Sequence, residues 1–158
     1  MTYMDRVLSA GAVSGDEGGG SRAVREPLVL VVEDEVHLTE AFRTVCDCLN
    51  LAVVRMPTGG DLSEALLRCR PLAVVAAMDA AGQDGCNVLM TVAGYDPDLP
   101  VLLLTGEDPA LLGAVDAVEE LWRLTSVTKW SRLGGVGAIL DFVFRAGRKG
   151  GGMRLMSI

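Results

Sequence analysis

Five short apolar runs alternate with segments of helical spacing between residues 28 and 145, and this alternation limits the folds open to the chain. The runs are rich in Val and Leu, as expected for strands of a parallel sheet that are buried on both faces. They span Leu28–Val32, Leu51–Arg55, Leu72–Ala77, Pro100–Leu104 and Leu124–Thr128. Strands that alternate with helices in this way specify an α/β protein with helices on both faces of one sheet.

A segment with apolar residues at helical spacing follows each of these strands. The helices are predicted at Val36–Leu49, Asp61–Cys69, Asn87–Gly94, Pro109–Trp122 and Gly134–Arg145, with Asp61 placed to cap the second. Right-handed crossovers between the strands then favour one arrangement at this size. We predict a flavodoxin-like (βα)5 fold, with a doubly wound five-stranded parallel sheet of order 2-1-3-4-5.

The 158 residues fit one domain, with chain to spare at both ends. We assign residues 26–146 to the domain, residues 1–25 to a flexible Gly-rich leader and residues 147–158 to a flexible basic tail. The leader has a second interpretation, as an arm that docks on a partner or on a second copy. The net charge of −7 argues against non-specific nucleic-acid binding, because no basic surface is on offer to neutralise phosphates.

The four cysteines and the lengths of the apolar runs indicate the cellular compartment. Cys46, Cys48, Cys69 and Cys86 lack the spacing of a zinc site, so we interpret them as buried free thiols in a reducing cytosol. No apolar run reaches membrane-spanning length, and the N-terminus does not read as a signal peptide. We therefore expect a soluble, cytoplasmic protein without a membrane partner.

Three carboxylates, Glu33, Asp34 and Glu35, come directly after the first strand. Open α/β sheets bind ligands at the carboxyl ends of their central strands, and carboxylate oxygens there suit a hard cation such as Mg²⁺. The alternative is that the three residues begin the next helix, where negative charge is favourable. Both interpretations remain open at this point.

Four pieces of the chain, in their order and spacing, resemble the receiver domain of bacterial two-component response regulators, and the resemblance covers residues 27–146. The pieces are Val31–Glu35, Asp84–Gly85, Asp98–Gly106 and Thr128–Lys129. In that family an aspartate at the end of the third strand takes a phosphoryl group from a histidine kinase. A metal and a cation neutralise the charge that develops during such a transfer.

The resemblance implies roles for four residues. Glu33 and Asp34 match the acidic pair that binds Mg²⁺ in the family. Thr105 matches the hydroxyl that senses the phosphoryl oxygens, and Lys129 matches the cation that pairs with them.

The acceptor position departs from the family pattern. Alignment forward from Pro71, or backward from Asp84–Gly85, puts Ala77 at the acceptor position, and an alanine methyl group cannot take a phosphoryl group. The nearest carboxylate is Asp79, two residues on, which is a candidate for a substitute acceptor because residues two apart in a strand point the same way.

Two functions follow, and we favour the first because of Ala77. The first is an atypical receiver, or pseudo-receiver, that is not an enzyme, needs no cofactor beyond a weak or vestigial Mg²⁺ site, and acts through phosphorylation-independent protein–protein interaction. Its partner would be a histidine kinase or another signalling protein. The alternative is a working phosphoacceptor in a phosphorelay, using Asp79 with Mg²⁺ at Glu33 and Asp34.

Bulky apolar residues, Leu121, Trp122 and Trp130, fall near the fifth predicted strand. In receivers the face formed by helix four, strand five and helix five commonly mediates dimerisation, and clustered exposed apolar surface usually marks a partner site. We therefore expect a homodimer, or a complex with another signalling protein, through this face. The alternative is that both tryptophans are buried in a repacked core.

Overall fold

The structure is a computed structural model, and it describes residues 27–77 and 83–150. The leader 1–25, the candidate acceptor Asp79 and the last part of the predicted tail, 151–158, lie outside the described residues. Strands and helices alternate along the chain. In order they are β1 (Leu28–Val32), α1 (His37–Cys48), β2 (Ala52–Met56), α2 (Leu62–Cys69), β3 (Ala73–Ala77), α3 (Gln83–Tyr95), β4 (Val101–Leu104), α4 (Pro109–Trp122), β5 (Val127–Trp130) and α5 (Val136–Gly150).

The strands form one parallel sheet in the order β2-β1-β3-β4-β5, so the predicted flavodoxin-like topology is confirmed. In the centre of the sheet Val32 of β1 lies beside Ala76 of β3. Ala77 lies beside Leu104 of β4, which in turn lies beside Trp130 of β5. The residues that follow β1, β3 and β4 therefore come together at the carboxyl edge of the sheet.

Two apolar layers cover the sheet, because successive side chains of a strand point to opposite faces. Leu30, Val74 and Leu103 face α2, α3 and α4, whereas Val31 and Val75 face α1 and α5. Each fully buried Val or Leu side chain stabilises the fold by roughly 1.5–3 kcal/mol. The second layer also contains an edge-to-face ring pair between α1 and α5, Phe42 and Phe142, whose centroids are 6.4 Å apart.

The fifth strand differs from its predicted position. We expected Leu124–Thr128, but β5 spans Val127–Trp130. The backbone before it ends α4: Arg123 adopts a left-handed conformation with φ 57°, and Leu124 N–H donates to the carbonyl of Glu119 at 3.0 Å. These residues satisfy the last carbonyls of the helix, as C-caps commonly do. Lys129 consequently lies within the strand.

Two helix ends also differ from prediction. The third helix was expected to begin near Asn87 after an Asp84–Gly85 loop, but α3 begins at Gln83. A helix tolerates such residues in its first turn, where N–H groups have no intrahelical partner and negative charge is favourable. The last helix was expected to end at Arg145 but continues to Gly150, so residues 147–150 of the predicted tail are helical. Basic residues such as Arg148 are favourable at this end of a helix.

None of the helices within residues 27–77 and 83–150 combines the length and apolar character needed to cross a bilayer.

Candidate functional site

Ala77 is the last residue of β3 at the carboxyl edge of the sheet. It is partly buried and belongs to the apolar layer that also includes Leu104 and Trp130. A methyl group in such a layer offers no nucleophile for covalent chemistry. Ala77, the residue predicted at the acceptor position, therefore provides no group that could be phosphorylated.

Glu33, the first residue after β1, is buried and directed toward the start of α1. One carboxylate oxygen accepts from Leu38 N–H at 3.0 Å. The other accepts from the N–H and the hydroxyl of Thr39, both at 2.7 Å. The carboxylate thus satisfies helix N–H groups that have no intrahelical partner, where an anion is favourable. For Glu33 the structure favours the helix-start alternative.

Asp34 is exposed and held against the loop after β2. Its carboxylate accepts from Thr58 N–H at 3.0 Å and from the Thr58 hydroxyl at 3.0 and 3.1 Å. These bonds, the backbone one first, together with the charge of Arg55, hold the pKa of Asp34 below its usual value. The Arg55 guanidinium also donates to the backbone carbonyls of Glu33 and Asp34, at 2.9 and 3.1 Å. This network fixes the loop after β1 to the second strand.

The donor set fits a strong metal centre poorly. Mg²⁺ is bound by carboxylate oxygens that are free to face it, and both oxygens of Glu33 already accept hydrogen bonds from α1. Asp34 is the one carboxylate of the pair left open to solvent. Within the described part of the chain, no three His, Cys, Asp or Glu side chains are grouped as metal ligands. A weak Mg²⁺ site at Glu33 and Asp34 stays a prediction.

Thr105 follows β4 and is buried. Its N–H donates to the Trp130 carbonyl at 2.8 Å, and its hydroxyl lies 3.1 Å from the Gly106 carbonyl and 3.4 Å from the same Trp130 carbonyl. In this arrangement the hydroxyl acts as a local donor to backbone oxygens at the end of the strand.

Lys129 is directed toward α4. Its ammonium group contacts two carboxylates of α4, Asp116 at 2.8 Å and Glu119 at 2.5 Å. Its position in β5, beside Leu103 of β4, puts its side chain on the sheet face that α4 covers. Burial lowers the pKa of Lys129, but the hydrogen bonds and charges of the two carboxylates outweigh burial and raise that pKa above its usual value.

Asp116 and Glu119 were missed by the sequence analysis, although a signal was available. Residues three apart on a helix share one face, and a basic residue in the following strand is a natural partner for such a pair. The sequence placed Lys129 after the strand, where it would reach over the edge of the sheet. With the later start of β5, Lys129 lies inside the strand and is paired with α4 instead.

Known proteins resemble this chain in sequence and in structure. No protein-family model matches the chain. Over 99 residues, 58% of its length, the chain is 32% identical to the C4-dicarboxylate transport transcriptional regulatory protein DctD of Pseudomonas aeruginosa, and it spans 21% of that protein. The N-terminal signal receiver domain of a two-component response regulator from Bacteroides fragilis matches in structure with a TM-score of 0.57 at 18% identity, over 77% of this chain and 96% of that chain.

The chain has the receiver-domain fold. The beryllofluoride-activated NtrC receiver domain matches with a TM-score of 0.59 at 20% identity, over 80% of this chain and 98% of that one. The response regulator CheY4 of Vibrio cholerae matches with a TM-score of 0.55 at 16% identity, over 77% and 98% of the two chains. The resemblance to the receiver domain of two-component response regulators is thus confirmed at the level of the fold. That Ala77 occupies the acceptor position stays a prediction.

Proposed function

We propose that this receiver domain is a pseudo-receiver, which acts in two-component signalling through phosphorylation-independent protein–protein interaction. The observation that carries the proposal is Ala77 at the end of β3, where a phosphoacceptor would need a nucleophile. A receiver without a nucleophile at this point keeps the shape that partners recognise and loses the covalent step.

The surroundings of Ala77 support the same proposal. The groups that would assist a phosphoryl transfer are each occupied within the fold: Glu33 by the start of α1, Thr105 by backbone carbonyls, and Lys129 by α4. Stabilisation of a transferring phosphoryl group depends on cations and donors aimed at the site where charge develops. In the present arrangement each of these three side chains is engaged by another part of the fold.

The test is incubation with a small phosphodonor and Mg²⁺, followed by intact mass spectrometry. We expect no mass increase in the wild-type protein, while an intact receiver treated in parallel gains one phosphoryl group. A phosphorylated wild-type protein would contradict the proposal. If the Asp79→Asn variant then lost the modification, the alternative of a working phosphoacceptor that uses Asp79 would be correct.

The surface formed by α4, β5 and α5 is our proposed docking site for a second copy or for a histidine kinase or other signalling protein. Leu121 and Trp122 at the end of α4 are 75% and 45% exposed, so Trp122 is not part of a repacked core. Trp130 is half-buried and packs against the apolar layer under α5. Large apolar side chains that remain exposed are typical of partner sites.

A homodimer is the simplest occupant of this surface, because two-fold symmetry needs only one self-complementary patch. Light scattering with and without phosphodonor tests the idea. We expect the same concentration-dependent association under both conditions. Association that appears only with phosphodonor would contradict a phosphorylation-independent role, whereas a monomer at all concentrations would leave the surface to a different protein.

A further inference from the structure

A cleft of about 310 Å³ opens at the carboxyl edge of the sheet, between the start of α2 and the first half of α3. Its floor is apolar and consists of Val32, Met56 and Ala76, from the ends of three neighbouring strands. Val88 of α3 forms part of the wall. This volume is about that of ten water molecules and lies at the lower end of the range for ligand pockets.

Small residues create the space. The third strand, β3, presents Ala76 to the floor of the cleft, and this methyl group leaves room that a larger side chain would fill. Gly60 borders the cleft from the loop before α2. Met56 already packs against Gly60, since a Cβ atom at that glycine would lie 2.6 Å from the Met56 methyl carbon. The cleft is therefore a consequence of the residue sizes at the ends of β2 and β3.

Two polar groups at the rim are available to a ligand. Among the described residues neither the Ser63 hydroxyl nor the Asn87 carboxamide has a protein hydrogen-bond partner, although both border the cleft. The Thr91 hydroxyl, by contrast, donates to the Asn87 carbonyl at 2.8 Å within α3. An apolar floor with a few unpaired polar groups at its edge is the usual character of a small-molecule site.

Charge restricts the ligand further. Asp61 is the one charged side chain among the described residues that line the cleft. Lys129, the functional cation expected from the sequence, is paired with two carboxylates of α4. Among the described residues that line the cleft, an anionic ligand would meet a carboxylate without a compensating cation, which is unfavourable.

We propose that this cleft binds a compact, uncharged organic molecule with an apolar body and a hydrogen-bonding head, the body on the floor and the head at Ser63 and Asn87. The proposal does not depend on the pseudo-receiver function, because a working receiver would contain the same cleft. A ligand here would contact the ends of β1, β2 and β3 together with α2 and α3. A bound ligand would thereby affect the surfaces that α2 and α3 present.

The experiment is a ¹H–¹⁵N correlation titration of the full chain with benzamide, and with benzoate as the charged molecule of matched shape. We expect saturable shifts at cleft residues in the millimolar range for benzamide, since a fragment of this size rarely binds more tightly. Benzoate should bind at least about tenfold more weakly, because it brings a charge beside Asp61.

Two variants locate the site. Thr91→Leu fills the cleft from α3 and is compatible with a helix, so we expect benzamide binding at least about tenfold weaker. Met90→Leu is the matched control, because Met90 lies on the same helix but not in the cleft lining, and binding should be unchanged. Asn87→Ala, at an exposed helical position, removes the contact with the head of the ligand. It is the second test variant, for use if Thr91→Leu does not fold.

Absence of saturable shifts with benzamide would overturn the proposal, as would wild-type affinity in both Thr91→Leu and Asn87→Ala. Equal binding of benzoate and benzamide would overturn the assignment of ligand class. Weaker binding of benzamide in either variant, with Met90→Leu unchanged, would establish the site.

Discussion

Replacing Lys129 with Met should destabilise the domain more than loss of an ordinary surface ion pair. The side chains of Lys129 and Glu119 are only 28% and 22% exposed, while that of Asp116 is 66% exposed. Exposed pairs contribute about 0.2–1 kcal/mol, and breaking a buried pair costs about 3–5 kcal/mol. This triad of Lys129, Asp116 and Glu119 is partly buried and so lies between these two cases. We therefore expect Lys129→Met to lower the free energy of unfolding by about 2 kcal/mol.

Thermal unfolding followed by circular dichroism measures this effect. In a domain of this size 1 kcal/mol shifts the melting temperature by about 3–4 °C, so Lys129→Met should melt about 6–8 °C below wild type. Arg132→Met is the matched control, because Arg132 and Glu107 are both largely exposed and 3.7 Å apart. Its effect should stay within about 0.5 kcal/mol.

The pH dependence provides a second check on the same residue. The pKa of Lys129 is raised in the folded state, so its contribution is fully present below the unfolded pKa of a lysine and is lost as the pH rises through the folded pKa. The difference between wild type and Lys129→Met should therefore be constant up to about pH 10 and shrink above it. Equal melting temperatures of Lys129→Met and Arg132→Met at neutral pH would refute the role of the triad. Strictly additive effects of Lys129→Met and Glu119→Gln would refute it as well.

Three further predictions concern the sheet edge and the docking surface. Glu33→Gln should lower the free energy of unfolding in urea by about 1–3 kcal/mol, because a side-chain amide has only one oxygen to accept the hydrogen bonds at the start of α1. An unchanged urea midpoint would contradict the capping role. Ala77→Asp should destabilise the protein through carboxylate crowding beside Glu33 and recover with Mg²⁺, whereas equal melting temperatures with and without Mg²⁺ would count against the acceptor alignment. Leu121→Ser with Trp122→Ser should yield a folded monomer in light scattering, and a double variant that still associates would count against this docking surface.

The fold could be predicted because its main determinant is local. Valine-rich runs such as Leu28–Val32, separated by segments of helical period, leave few ways to bury both faces of the sheet. Boundaries were harder to predict where one residue type suits two elements. Thr125 and Ser126 have the composition of a strand, yet the backbone before β5 is engaged by the C-cap of α4 and by the Pro97 carbonyl.

The contacts of the candidate site residues could not be predicted from the sequence. The resemblance to receiver domains predicted Glu33 and Lys129 as members of one constellation at the sheet edge. Which partner each side chain takes depends on distances of a few ångströms and on the register of β5 against β4. The helix-start alternative for Glu33 was visible in the sequence because α1 begins four residues later. The cleft beside Ala76 depends on residues from five separate elements and has no local signal.

A carboxylate placed at the predicted acceptor position alone should leave phosphoryl transfer slow, because Lys129 would still be held by α4. A new carboxylate in Ala77→Asp supplies the nucleophile, but the cation that stabilises the developing charge remains in ion pairs at 2.8 and 2.5 Å. Combining Ala77→Asp with Asp116→Asn and Glu119→Gln releases that cation. We expect the triple variant to take up a phosphoryl group from a small phosphodonor at least about tenfold faster than Ala77→Asp, since one oriented donor to a developing charge is worth about 10²–10³ in rate. The two α4 substitutions on the wild-type background are the control, and that protein should take up none. Equal rates in Ala77→Asp and the triple variant would mean that the ion pairs of Lys129 do not restrain it.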